Sequence, residues 1–194
     1  MEKTIEVKVE DIKRVFDEAN DNVRNCILNL FPQIKEDLQI TDRVKTFEDA
    51  CRELGEDHPF VLAYQNTNLR DPEVADDNKD VLAYLKLRII TAALNEGWTP
   101  QLVEDERRYY PFFHICSEEE IICMSEEEKS RVVYLSDCYA SALVSVSFAY
   151  ADYDTAVVYA DIASLLAFKT EELAEYAGKQ FIDLWTDFCF TKKK

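Results

Sequence analysis

The sequence predicts a single α+β domain, in which amphipathic helices pack on a small antiparallel sheet that includes a hairpin near residues 132–168. Three observations carry that expectation. Apolar residues recur every three or four positions over much of the first hundred residues and again after residue 170, the spacing of helices with one buried face. Between these blocks, large and small residues alternate as they do along a strand. A chain of 194 residues also fits one core at about 100–200 residues per domain. Residues 1–100 are therefore expected to be rich in helix, 107–168 rich in strand, and 170–190 a closing helix.

In chain order, residues 4–9 alternate charged with β-branched side chains and predict an opening strand. Ile12, Val15, Phe16, Ala19, Val23, Cys26, Ile27 and Leu30 then mark one amphipathic helix that Pro32 ends. Thr46 is placed to cap a short helix over 47–54, and Gly55 to close it in a conformation that glycine tolerates. Residues 56–79 are polar and broken by Pro59 and Pro72. They predict a long loop with at most a helical turn, and the segment where disorder is expected. Residues 80–96 predict the main helix of the middle, with Val81, Leu85, Ile89, Ala92 and Ala93 on its buried face and Gly97 closing it.

Residues 107–116, rich in Tyr and Phe around Pro111, predict an irregular edge strand. Two capping boxes follow, Ser117 with Glu120 and Ser125 with Glu128, each a hydroxyl paired with a carboxylate three residues on. Beyond them, Asp152-Tyr153-Asp154-Thr155 is expected to form the turn between two strands. Thr170 then caps the closing helix. Leu173, Tyr176, Ala177, Phe181, Leu184, Trp185 and Phe188 give that helix one continuous apolar face, with Glu171 and Glu172 at the positive end of its dipole.

Composition excludes most common chemistry. With three glycines there is no room for a Gly-rich phosphate loop, and with two histidines any triad must use His58 or His114. His58 beside Pro59 reads as an exposed loop residue. His114 and Cys116 share a strand face, and Cys123 could join them, but the spacing matches no common zinc pattern. The acidic trios 118–120 and 126–128 are accounted for by helix capping. Six cysteines without a Cys-x-x-Cys pair read as free, mostly buried thiols. No cofactor, metal site or catalytic residue is expected, and the chain reads as non-enzymatic. A net charge of −17 repels phosphate backbones and argues against nucleic acid and anionic membranes as partners. Arg107-Arg108-Tyr109-Tyr110-Pro111-Phe112-Phe113 mixes cations with stacking groups, yet reads first as an edge strand giving aromatics to the core. No apolar run is long enough to span a bilayer and no secretory signal opens the chain, so a cytoplasmic protein is expected.

One stretch departs from this conventional picture. Residues 132–168 contain no Lys, Arg, Glu, Gln, Asn, His, Gly, Pro, Met or Trp, in a chain that is 31% charged. Tyr, Ser, Ala and Asp dominate it, as they do in antibody-like contact surfaces. There Tyr gives rigid area at low entropy cost and small residues fit around it. Tyr139, Tyr150, Asp152, Tyr153, Asp154 and Tyr159 are the candidate binding residues. Every residue type in the stretch is also encoded by codons ending in a pyrimidine, as a targeted diversification of Asn codons would leave it. The alternative is an ordinary hairpin whose large face packs on the final helix.

Residues 46–51 (Thr-Phe-Glu-Asp-Ala-Cys), 93–100 (Ala-Leu-Asn-Glu-Gly-Trp-Thr-Pro), 108–111 (Arg-Tyr-Tyr-Pro) and above all 166–181, from Leu-Ala-Phe-Lys onward, resemble a family of uncharacterised phage and prophage proteins. The resemblance covers most of the chain beyond about residue 40 and implies no catalytic residues. Members often carry a Gly-, Ser- and Asn-rich stretch before Leu-Ala-Phe-Lys, whereas residues 132–164 here have neither Gly nor Asn. The reading that follows is a phage-derived interaction protein, cytoplasmic in its host or associated with the virion, presenting the hairpin region to a macromolecular partner, most simply a protein. Its alternative is an acidic inhibitor that imitates nucleic acid on a basic host site.

Overall fold

The computed structural model describes residues 6–101, 106–129, 133–135, 144–155 and 164–189. Helices predominate. The chain falls into two compact units, Met1–Arg43 and Val44–Lys194.

The first unit is helical from its start. Residues 6–8 are irregular and α1 (Val9–Glu18) begins where the sequence pattern suggested a strand, because no neighbouring strand pairs with this segment among the described residues. The single helix expected to run to Leu30 is broken at Ala19 and Asn20. Asn20 takes an extended conformation and its side chain accepts a hydrogen bond from the Val23 amide at 3.1 Å, capping α2 (Asp21–Leu30). The Arg24 guanidinium closes the other side of the break. It donates to the carbonyls of Phe16 and Asp17 at 2.9 and 3.0 Å in the last turn of α1, where the Phe16 carbonyl also accepts from the Ala19 amide. Apolar periodicity continues smoothly across the gap, so only the cap betrays it. Pro32 follows α2 as expected and opens a 3-10 helix, Pro32–Asp37. Ile12, Phe16, Ile27, Ile34 and Leu38 form the core, and the short α3 (Ile40–Arg43) ends the unit.

The second unit opens on the capped helix read from the sequence. In α4 (Phe47–Leu54) the Thr46 hydroxyl accepts from the Asp49 amide and the Asp49 carboxylate accepts from the Thr46 amide, and Gly55 takes a φ of 91° beyond it. The expected loop 56–79 is instead a chain of short helices. They are α5 (Pro59–Gln65), the 3-10 helix Asn68–Arg70, α6 (Pro72–Ala75) and the 3-10 helix Asp76–Asn78. The punctuation that suggested a loop starts these helices. Pro59 and Pro72 occupy first-turn positions, where a missing N–H costs nothing, while His58, Thr67 and Asp71 cap. His58 is thus half-buried, its Nδ1 accepting from the Phe60 amide at 3.2 Å, rather than an exposed loop residue.

The long helix α7 (Lys79–Leu94) is the centre of this unit, with α4, α5 and the last helix packed around it. Its buried face runs through Ala83, Leu87, Ile90 and Leu94, joined by Ile89, Thr91 and Ala93; Val81, expected on that face, is exposed. Gly97 follows at a φ of 86°. Next come β1 (Arg107–Cys116), then α8 (Glu118–Cys123) and α9 (Glu126–Lys129), each opened by its Ser–Glu capping pair. β2 (Val133–Leu135) and β3 (Val144–Thr155) complete a three-stranded antiparallel order β1-β3-β2.

Two expectations are corrected in this half. Asp152–Thr155 is no turn but the end of β3, paired in register with Tyr110–Arg107, where ladder hydrogen bonds with β1 outweigh the turn preference of Asp. The closing helix is two helices, α10 (Glu171–Gln180) and α11 (Ile182–Cys189), separated at Phe181, whose ring is buried. Thr170 caps α10 as read, its hydroxyl accepting from the Leu173 amide at 3.3 Å. α10 packs on β1 and β3, and α11 packs on α7.

Candidate functional site

Backbone pairing decides which of the candidate residues lie together. Tyr150, Asp152, Tyr153 and Asp154 all belong to β3; Tyr139 and Tyr159 lie outside the described residues. Directly opposed residues of an antiparallel pair share a sheet face. The register sets Phe112 opposite Tyr150, Tyr110 opposite Asp152 and Arg108 opposite Asp154 on one face, and Tyr109 opposite Tyr153 on the other. Tyr150, Asp152 and Asp154 therefore share one face with residues of β1, the strand the sequence had marked for its Arg and aromatic residues, and Tyr153 belongs to the other face. The register shifts between Phe113 and Ile115, where His114 meets extra residues of β3, a bulge that bends the strand.

The β1 side chains divide as a half-covered strand should. Phe113 packs at 5.9 Å from the Trp185 ring of α11 and Pro111 is buried, so these two face the helices. Phe112 is 39% exposed and Tyr110 half-buried. Arg108 is 5% exposed, with a buried Nε that has no hydrogen-bond partner, an expensive position for a charge. The outer edge of β1 is not wholly open. Tyr109 exchanges two backbone hydrogen bonds with Phe168, at 3.1 and 2.7 Å.

That bridge is held from below by Asn95, at the end of α7. Its amide donates to the Ala167 carbonyl at 2.8 Å, and its carbonyl accepts from the Lys169 amide at 3.0 Å. Lys169 also pairs with Glu96 at 3.0 Å. Residues 95–97 and 166–169 are thus one structural joint. The β3 partner strand hangs from it.

Other chemistry is dispersed. Among the described residues no three His, Cys, Asp or Glu side chains come together as a metal site. Cys26, Cys123 and Cys189 are exposed and Cys51 is half-buried, contrary to the expected buried thiols, while Cys138 lies outside the described residues. Burial of the sulphur nonetheless pushes the Cys189 thiol up to about 11, and burial followed by the nearby Glu48 carboxylate raises Cys51, so neither is an activated nucleophile. A cleft of about 600 Å³ in the first unit is lined by Val7, Val9, Ile12, Phe31 and Ile34 together with Glu6, Lys8, Gln33 and Asp37. No described helix is long and apolar enough to cross a membrane.

The sequence reading missed a group in the second unit where cations rest on rings. Lys86 lies 5.3 Å from the Phe47 centroid and Arg88 4.1 Å from that of Phe60. The signal was there in part, since Phe60 with Tyr64, and Tyr84 with Arg88, are four apart and so share helix faces. No family model, no curated protein and no solved structure matches this chain.

Proposed function

We propose that the chain is a non-enzymatic, phage-derived interaction protein that presents its Tyr-, Ser-, Ala- and Asp-rich region to a protein partner. The observation that supports this reading is the register of β3 on β1. It places Tyr150 and Asp152 beside Tyr110 and the exposed Phe112, so aromatic and acidic residues from two strands share one face. Such surfaces bind through a few rigid aromatic anchors surrounded by small residues. The resemblance of residues 46–51, 93–100 and 166–181 to phage and prophage proteins supports the origin.

The test places a photo-crosslinking side chain at Phe112 of the full chain and exposes it to bacterial host extract. One protein species should be trapped there and not from Leu30. The double change Tyr110→Ala with Tyr150→Ala should lower capture at least tenfold at an unchanged unfolding temperature. Capture indifferent to both tyrosines would overturn the reading. A second reading, an acidic mimic acting on a basic host site, draws on the exposed acids Asp71, Glu73, Asp76, Asp77 and Asp80 around α6. It predicts capture that collapses with added salt and ignores the tyrosines.

A further inference from the structure

In a chain of 39 acidic and 22 basic residues, a cation beside a carboxylate needs no explanation, whereas cations gathered without one do. Three such cations surround α5. Lys86 of α7 stands over both Phe47 and Tyr64, 5.3 and 5.9 Å from their centroids. These two rings meet edge to face at 4.9 Å. Arg70 lies 5.1 Å from the same Tyr64 ring, and its one hydrogen bond goes to the Gln65 carbonyl at 3.3 Å. One turn back along α5, Arg88 sits 4.1 Å over Phe60 and 5.7 Å from Tyr84, with its Nε unpartnered. Among the described residues none of the three cations reaches a carboxylate, although such pairs occur elsewhere, as between Lys79 and Asp76 or Lys179 and Glu175.

We propose that this cation–aromatic patch, built on Arg70, Lys86 and Arg88, is a second interaction surface that docks an acidic peptide segment. A ring beneath a guanidinium fixes its plane and leaves its N–H groups directed outward, which prepares it for a carboxylate at low entropy cost. The cations already occupy ring surface on Phe47, Phe60 and Tyr64 that bases would need for stacking, and this favours a peptide over single-stranded nucleic acid. The surrounding negative charge works in the same direction. A long polyanion is repelled by the rest of the surface, beginning with the exposed acids Asp71, Glu73, Asp76 and Asp77 that follow Arg70, while a short acidic segment can be confined to the cations over the rings. The surface is separate from the β1–β3 face and does not depend on the function proposed for it.

The test titrates the full, isotope-labelled chain with hexaglutamate, with six-nucleotide oligo-dT in parallel, and follows amide shifts by NMR. A variant with Lys192, Lys193 and Lys194 replaced by Ser removes the other basic cluster in the sequence. Hexaglutamate should give saturable shifts around Arg70, Lys86 and Arg88 that weaken at least fivefold between about 50 and 200 mM salt. Arg70→Gln, at an exposed position that leaves the fold intact, should weaken binding at least threefold, and Lys86→Gln more, with Lys86→Arg restoring it. Absence of saturable shifts there, or tighter binding of oligo-dT than of hexaglutamate, would overturn the proposal.

Discussion

Asn95 is 3% exposed and sits where two distant parts of the second unit meet. A buried amide can serve as donor and acceptor at once, and here it satisfies the Ala167 carbonyl and the Lys169 amide together. No apolar side chain of similar size can do so. Replacing Asn95 with Ala should leave both backbone groups without a partner and cost about 2–4 kcal/mol of unfolding free energy, from the usual penalty for each unsatisfied buried group. Lys169→Ala removes only the partly exposed ion pair with Glu96 and should cost at most about 1 kcal/mol. Urea unfolding of the two variants separates these expectations. Equal losses would mean that the joint is held by the ion pair and not by the amide.

At the scale of elements, caps and breaks matter more than apolar periodicity. α10 shows how one hydroxyl does two jobs. Thr170 Oγ1 accepts from the Leu173 amide, and Thr170 also hydrogen-bonds the Glu172 carboxylate. Glu172's own backbone amide and then Thr170 hold that carboxyl below its ordinary range. A carboxylate with a depressed folded value adds stability above its unfolded pKa and loses it as pH falls through the folded value. Thr170→Ala should therefore cost about 1 kcal/mol near neutral pH, as lost caps do, and the gap from the unaltered chain should narrow below the normal glutamate range. A gap constant with pH would remove Glu172 from the cap. The same local logic governs what could be read in advance. Thr46, Ser117, Ser125 and Thr170 were legible because a cap is set by residues three apart. The break at Asn20 and the split at Phe181 were not, since apolar spacing runs straight through both and Arg24 closes the first from outside the gap. Residues 56–79 misled because Pro and Asp start helices as readily as they interrupt them. Of the candidate site, the sequence marked β1 and β3 separately. Their register, which makes them one surface, depends on pairing between residues about forty apart, and a turn preference at 152–155 pointed the other way.

For the whole molecule the division at Arg43 and Val44 makes a claim about cooperativity. The second unit is tied down from its first residues. Val44 is fully buried, its carbonyl accepts from the Tyr176 hydroxyl at 2.8 Å, and the Lys45 carbonyl accepts from Gln180 at 2.8 Å, so both are anchored to α10. With its core around α7 and about 150 residues in all, this unit is large enough to fold unaided. The first unit relies on a core cluster of five buried apolar residues with Ile40 buried beyond it, and chains of about 40 residues rarely stabilise a core without a disulphide, a metal or a partner. A fragment spanning 44–194 should therefore keep a single sigmoidal unfolding transition and the near-ultraviolet signal of Trp98 and Trp185. A fragment spanning 1–43 should show weak helicity and no transition. If instead 44–194 melts without cooperativity, burial within the second unit is not sufficient and its stability draws on the first forty-three residues. The Val44 and Lys45 contacts with α10 would then follow from folding elsewhere rather than secure it.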